Sequence, residues 1–242
     1  MGKNLLNKIS VSFFRRIVEK ISPVYRYCRY NSISVNRAVK YCHLPFNPGS
    51  SYRPSMLDDV PDYEDTLCRA LSQTVRNGDH VIVVGGGLGV TSLHAAREVG
   101  PTGQVTSFEA SEDRIKDLKW AIESNRQGKV VTPAHALIGK EVRVYGDVAE
   151  SERIPPTELP RCDVLELDCE GAELMILKQL EISPRSIIVE THGFRGGSTD
   201  RVRRELERFG YEVEDQGIAE PGKKSFCEEN DIRVLVGSKQ KD

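Results

Sequence analysis

The sequence predicts an open α/β domain: a mostly parallel, seven-stranded sheet with a C-terminal antiparallel strand and helices on both faces. Three observations carry this expectation. Short β-branched runs recur at 80–84, 104–108, 130–132, 163–167, 186–190, 211–214 and 231–236. Helical patterns at 90–99, 112–125, 171–180 and 199–209 fill most of the gaps, and strand–helix alternation implies parallel βαβ units. Between "YEVED" and "DIRVLVG" no helical pattern is evident, so the last two strands are expected to pair antiparallel.

The 242 residues suffice for one substantial domain and an appended segment. With 38% hydrophobic and 29% charged residues, the composition is that of a globular chain, neither disordered nor membrane-spanning. Apolar runs fall far short of the ~20 residues a transmembrane helix needs, and the N-terminus lacks the apolar core of a signal peptide. Cysteines 28, 42, 68, 162, 169 and 227 form neither a CxxC pair nor a zinc-ligand spacing, which suits a reducing compartment; the expected location is cytoplasmic.

Charge divides the chain into a basic arm, 1–53, and a domain, 54–242. The arm carries ten Lys/Arg and a single acid, Glu19, a net of +9, whereas the remainder carries −11. Within the arm, "NLLNKISVSFFRRIVEKIS" is amphipathic. Leu6, Ile9, Phe13, Ile17 and Ile21 share one face opposite Lys8, Arg15, Arg16 and Lys20. Residues 5–21 thus fit peripheral membrane contact, or a helix packed on the domain or on a second subunit. "YRYCRY" at 25–30 has the aromatics and cations of a nucleic-acid contact but no binding module around it, so no nucleic-acid partner is expected. A proline-rich linker at 45–61 and a helix from about Tyr63 to Val75 lead into the first strand.

That strand ends in "VIVVGGGLGVTS", residues 81–92. A turn feeding a helix N-terminus at the carboxyl end of a strand is where open α/β sheets receive ligands. The dinucleotide fingerprint GxGxxG fails in every frame, because Val90, Leu88 or Ser92 stands where a glycine is required. The spacing that fits is GxGxG at Gly85, Gly87 and Gly89, with Gly86 between them. This form of the turn accepts the amino-acid end of S-adenosylmethionine. Glu109 closes the second strand twenty residues past Gly89, where a carboxylate can accept both ribose hydroxyls and disfavours a 2′-phosphate. NAD is compatible with that carboxylate too, so an NAD-dependent oxidoreductase or epimerase is the competing enzyme class. A non-catalytic binding protein of the same fold is the third.

The runs "VIVVGGGLGVTS", "SFEAS", "VTPAHALIG", "DVLELDCEGAELMILKQL" and "IIVETHG" occur in this order. Over residues 79–237 the chain resembles FkbM-type methyltransferases, class I enzymes that use S-adenosylmethionine. The resemblance implies the Rossmann-like class I fold and O-methylation of a sugar, glycolipid or other small molecule. It also implies cofactor contacts at Gly85, Gly86, Gly87, Gly89, Glu109, Ala110 and Ala136. Two positions depart from the family: Val83 replaces the acid usual on the first strand, and Glu166 stands where a cation is common.

Methyl transfer to a hydroxyl requires alignment and a proton acceptor. The candidates are Asp168 at the end of the fourth strand, Glu170 beside it, and His192 after the fifth, whose imidazole titrates near neutrality. Strand alternation puts Glu166 and Asp168 on one face, so crowding should raise a carboxyl pKa or recruit a cation. Asp168, Glu190 and His192 have the chemistry of Mg²⁺ or Mn²⁺ ligands, but nothing in their spacing demands a metal and none is expected.

Overall fold

A computed structural model describes residues 63–139, 147–148 and 150–239. The basic arm and the proline-rich linker lie outside the described residues. Helix α1 (Asp65–Thr74) precedes β1 (His80–Val84), followed by α2 (Val90–Val99), β2 (Gln104–Glu109), α3 (Glu112–Ser124) and β3 (Val131–Ile138). Then come β4 (Glu152–Ile154), β5 (Val164–Leu167), α4 (Glu173–Gln179), β6 (Ser186–Glu190) and α5 (Thr199–Arg208). The chain closes with β7 (Glu212–Ile218), α6 (Lys224–Asn230) and β8 (Arg233–Ser238).

The strands form one sheet in the order β4-β3-β2-β1-β5-β6-β8-β7. All neighbours from β4 to β6 pair in parallel, whereas β8 runs antiparallel to both β6 and β7. The reversed C-terminal strand is as expected. The sheet has one strand more than the seven expected, because β4 adds a three-residue edge beyond β3. A second difference is α6, a seven-residue helix within the β7–β8 connection, where no helix was expected. It changes no strand direction, since the connection still returns β8 beside β7.

Alternating side chains supply two apolar layers. Val81, Val83, Val164 and Ile188 point to one face and pack beneath α1, α2 and α3 through Leu67, Leu71, Leu93 and Leu118. Ile82, Val84, Leu165, Leu167, Ile187 and Val189 point to the other, against Leu174, Leu177, Val202 and Leu206 of α4 and α5. Strand order reverses between β1 and β5, since β1 connects outward to β2 while β5 lies on its other side. The carboxyl ends flanking that reversal are the place for a ligand. No helix of the described residues is long and apolar enough to cross a membrane.

Candidate active site

At the end of β1 the chain turns under tight constraint. Both Gly85 and Gly86 donate their N–H groups to the Phe108 carbonyl, at 2.9 and 3.0 Å. Gly85 has φ 99°, and a Cβ there would lie 1.7 Å from the Asp168 carbonyl oxygen, so only glycine lets β1 and β5 close at this level. Gly89, at φ 93°, is the residue from which α2 starts.

Glu109 is the latch of this turn. Its Oε2 accepts the Gly87 N–H and its Oε1 the Ser111 N–H, each at 2.7 Å. Burial pushes the carboxyl above its usual range, and the two backbone donors offset this only in part. Each oxygen keeps a lone pair for a ligand. Beside this latch opens a cleft of about 390 Å³, within the range of small-molecule sites. Gly85, Gly87, Glu109, Ala110 and Ala136 line it, as do Asp168 and Glu170. Gly86 and Gly89 are not among the lining residues, and their close neighbours include Leu118 of α3.

The opposite wall is a loop, 168–172, wound around one carboxylate. Glu173, the first residue of α4 and fully buried, accepts the N–H groups of Cys169 and Gly171 at its Oε1, at 3.1 and 3.0 Å. The same oxygen accepts from His192 Nδ1 at 3.0 Å. Burial alone would raise the Glu173 carboxyl, but the His192 bond and these amides hold it below its ordinary value. The winding leaves Glu170 at φ 57° and Gly171 at φ 104°, a left-handed pair in which the non-glycine member is strained. Arg195 steadies it, reaching Glu170 Oε2 at 3.1 Å and the Glu170 carbonyl at 3.3 Å.

His192 itself does not line the cleft; it stands behind Asp168 with its side chain 5% exposed. Its Nε2 lies 3.7 Å from Asp168 Oδ1, from Glu170 Oε2 and from Glu190 Oε1. Burial disfavours the imidazolium, yet the Glu173 bond and the surrounding carboxylates outweigh it and hold the pKa up at about 9. Asp168 is pushed up to about 7 by burial and by Glu170, Glu173 and Glu220, against the pull of His192. A further acid, Glu190 at the end of β6, is raised well above its usual range by burial and then by Asp168.

Sequence pattern marks neither Glu173 nor four further cleft-lining residues, Tyr63, Glu64, Glu220 and Lys223, as part of the site. The signal for Glu173 lies in "DCEGAE", residues 168–173, whose last acid falls on the first turn of a helix and so resembles an ordinary dipole partner.

The methyltransferase FkbM domain profile matches residues 151–213. The matched segment, similar to that domain, is about a quarter of the chain. It spans β4 through the start of β7, and so contains Asp168, Glu170, Glu173, Glu190, His192 and Arg195, while the glycine turn and Glu109 lie upstream of it. Among solved structures, precorrin-6y C5,15-methyltransferase from Geobacter metallireducens GS-15 is similar at 15% identity and a TM-score of 0.52, over 78% of this chain and 94% of that one. A SAM-dependent O-methyltransferase from Thermotoga maritima aligns at 15% identity and a TM-score of 0.49, over 78% of this chain and 68% of that one. The first likeness shows a shared fold. No curated protein matches the sequence.

Proposed function

We propose that the protein is an S-adenosylmethionine-dependent methyltransferase that methylates a hydroxyl of a sugar, glycolipid or other small molecule. The observation that carries this reading is the latch. Glu109 draws the glycine turn into place through Gly87 while keeping lone pairs open to a ribose at the cleft wall. Ala110 and Ala136 add small apolar surface on the same wall, as an adenine ring needs.

Bound S-adenosylmethionine supplies an activated methyl group. The acceptor oxygen bonds to the methyl carbon as the S–C electron pair returns to sulfur, and the hydroxyl proton leaves. The chain therefore has to align the partners and take one proton. Asp168 and Glu170, which line the cleft from the 168–172 loop, are the carboxylates that support this role. His192, held cationic behind them, offsets part of the repulsion between the two acids.

Calorimetry with S-adenosylmethionine and NAD, on protein stripped of carried-over ligand, tests the cofactor. Binding of NAD alone would overturn the reading. Transfer of labelled methyl into small-molecule and glycan fractions of an extract tests the acceptor. We also propose that residues 5–21 bring the enzyme to an anionic membrane surface; unchanged vesicle binding after deletion of residues 1–22 would reject this.

A further inference from the structure

Among the described residues five carboxylates line the cleft, and they differ in what faces them. Glu170 is paired with Arg195 at 3.1 Å and Glu220 with Lys223 at 2.7 Å. Asp168 has the His192 imidazolium behind it, and Glu109 gives one oxygen to each of two backbone N–H groups. The fifth is Glu64, which has no cation beside it among the described residues.

Glu64 stands just ahead of α1 in a left-handed conformation, φ 53° and ψ 23°, a strained one for a residue other than glycine. Its carbonyl accepts the Cys68 N–H at 2.9 Å and so begins the helix, yet its side chain caps nothing there. The carboxyl turns instead to α2, where the Thr91 N–H donates to it, with the Tyr63 hydroxyl as a second donor. Thr91 is the second residue of α2, two past Gly89. Glu64 therefore stands where the glycine turn becomes helix. Asp168, whose carbonyl closes on Gly85, is the charge that acts on it most strongly.

Burial and then Asp168 push the Glu64 carboxyl up to about 8, against the pull of the Tyr63 and Thr91 donors. The other titratable groups around it add no positive charge: Glu220 from the β7–α6 connection, Glu166 and Glu190 from the sheet, and Cys68 of α1. An arriving cation would restore the carboxylate and displace its proton. S-adenosylmethionine carries two positive groups, a sulfonium and an ammonium. Only the ammonium has hydrogens to donate, and a carboxylate with two donors still has lone pairs to accept them.

We propose that Glu64 binds the α-ammonium group of S-adenosylmethionine, fixing the amino-acid end of the cofactor beside the glycine turn. Val83, buried in the apolar layer of β1, offers no such contact. The assignment rests on the methyltransferase reading and adds to it a cofactor contact from outside the sheet.

Calorimetry on the full chain tests it with three ligands: S-adenosylmethionine, its analogue lacking the α-amino group, and methylthioadenosine, which lacks the whole amino-acid end. The wild type should bind the desamino analogue about tenfold or more weakly than S-adenosylmethionine. Glu64→Gln should weaken S-adenosylmethionine by a similar factor and leave the other two ligands within about twofold. Near pH 7 the wild type should release about one proton more than Glu64→Gln on binding S-adenosylmethionine, read from binding heats in buffers of different ionisation heat. Equal affinity of wild type and Glu64→Gln for S-adenosylmethionine overturns the proposal. So does an equal loss for all three ligands, which would make Glu64 a support of the cleft rather than a contact. If circular dichroism shows Glu64→Gln unfolded, the wild type still decides, because equal affinity for S-adenosylmethionine and the desamino analogue rejects the contact. Absence of S-adenosylmethionine binding by the wild type ends the methyltransferase reading itself, whereas binding indifferent to Glu64 ends this contact alone.

Discussion

Val83 and Glu166 are register partners on adjacent parallel strands, β1 and β5. The carboxylate missing from the first strand therefore stands one strand over, on the same face, flanked on its far side by Ile188. Glu166 is fully buried and neither of its oxygens has a hydrogen-bond partner. Burial first, then Asp168 and Glu64, push its carboxyl well above the usual range. Its place is in the apolar layer beneath α1 and α2, and it does not line the cleft.

Glu166→Leu should accordingly stabilise the fold, by about 1–3 kcal/mol, since an unsatisfied buried polar group is removed. Cofactor affinity should not change. Denaturant unfolding gives the first quantity and calorimetry the second; a lower unfolding midpoint would show that the carboxyl has a partner in the folded protein.

Gly85→Ala should be among the most damaging single changes. The new methyl would meet the Asp168 carbonyl at 1.7 Å, which is backbone and cannot swing aside. A loss of several kcal/mol is expected, in the range reserved for overpacking and backbone strain. Gly196, also at positive φ but with nothing near its absent side chain, makes the control: Gly196→Ala should cost only about 1 kcal/mol.

Glu109 should make cofactor binding sensitive to acid. Its ionised form is the one that would accept from a ribose under the proposed reading, and burial has raised its pKa. Affinity should therefore begin to fall at a pH above the ordinary carboxylate range, measured as dissociation constant against pH. For the free protein the sign is opposite. A raised pKa means the folded state holds the proton more tightly, so Glu109's contribution to stability is present at low pH and is lost as pH climbs through the shifted value. Glu109→Gln, which points an amide donor at the Gly87 or Ser111 N–H, should cost about 1–3 kcal/mol and at least tenfold in affinity.

Asp215 offers a contrasting acid response. Partial burial would raise its carboxyl, but Arg233, at 3.0 Å, the Gly217 N–H and Arg203 hold it below its usual value. A depressed pKa contributes stability above the unfolded value, and this is lost as pH falls through the folded one. Asp215→Asn should remove that part of the acid sensitivity, read as a flatter unfolding midpoint below about pH 4.

The strands and helices around the glycine turn were legible because each obeys a local rule. Val90–Val99, for example, is bounded by glycines at 89 and 100 and matches its expected span. What escaped was either too short or too long-range. Three-residue β4 offers no alternation to detect, and α6 is seven residues in a polar stretch opened by Pro221 and Gly222. The role of Glu173 depends on an imidazole nineteen residues away. Its own neighbourhood reads as an acid at a helix start. Asp168, Glu170 and Glu109 could be named because a strand's carboxyl end is a place that sequence pattern can locate.

Asp231, just after α6, accepts from the Thr199 N–H and hydroxyl with its carboxylate and from the Gly193 N–H with its carbonyl. It thereby fixes both ends of the loop that begins at His192. The consequence concerns synthesis. The glycine turn and Glu109 can assemble with the first half of the sheet as it leaves the ribosome. The His192 wall has to wait for Asp231, 32 residues beyond Thr199. A chain lacking Asp231 would keep the glycine turn and Glu109 without the bonds that hold the loop after His192.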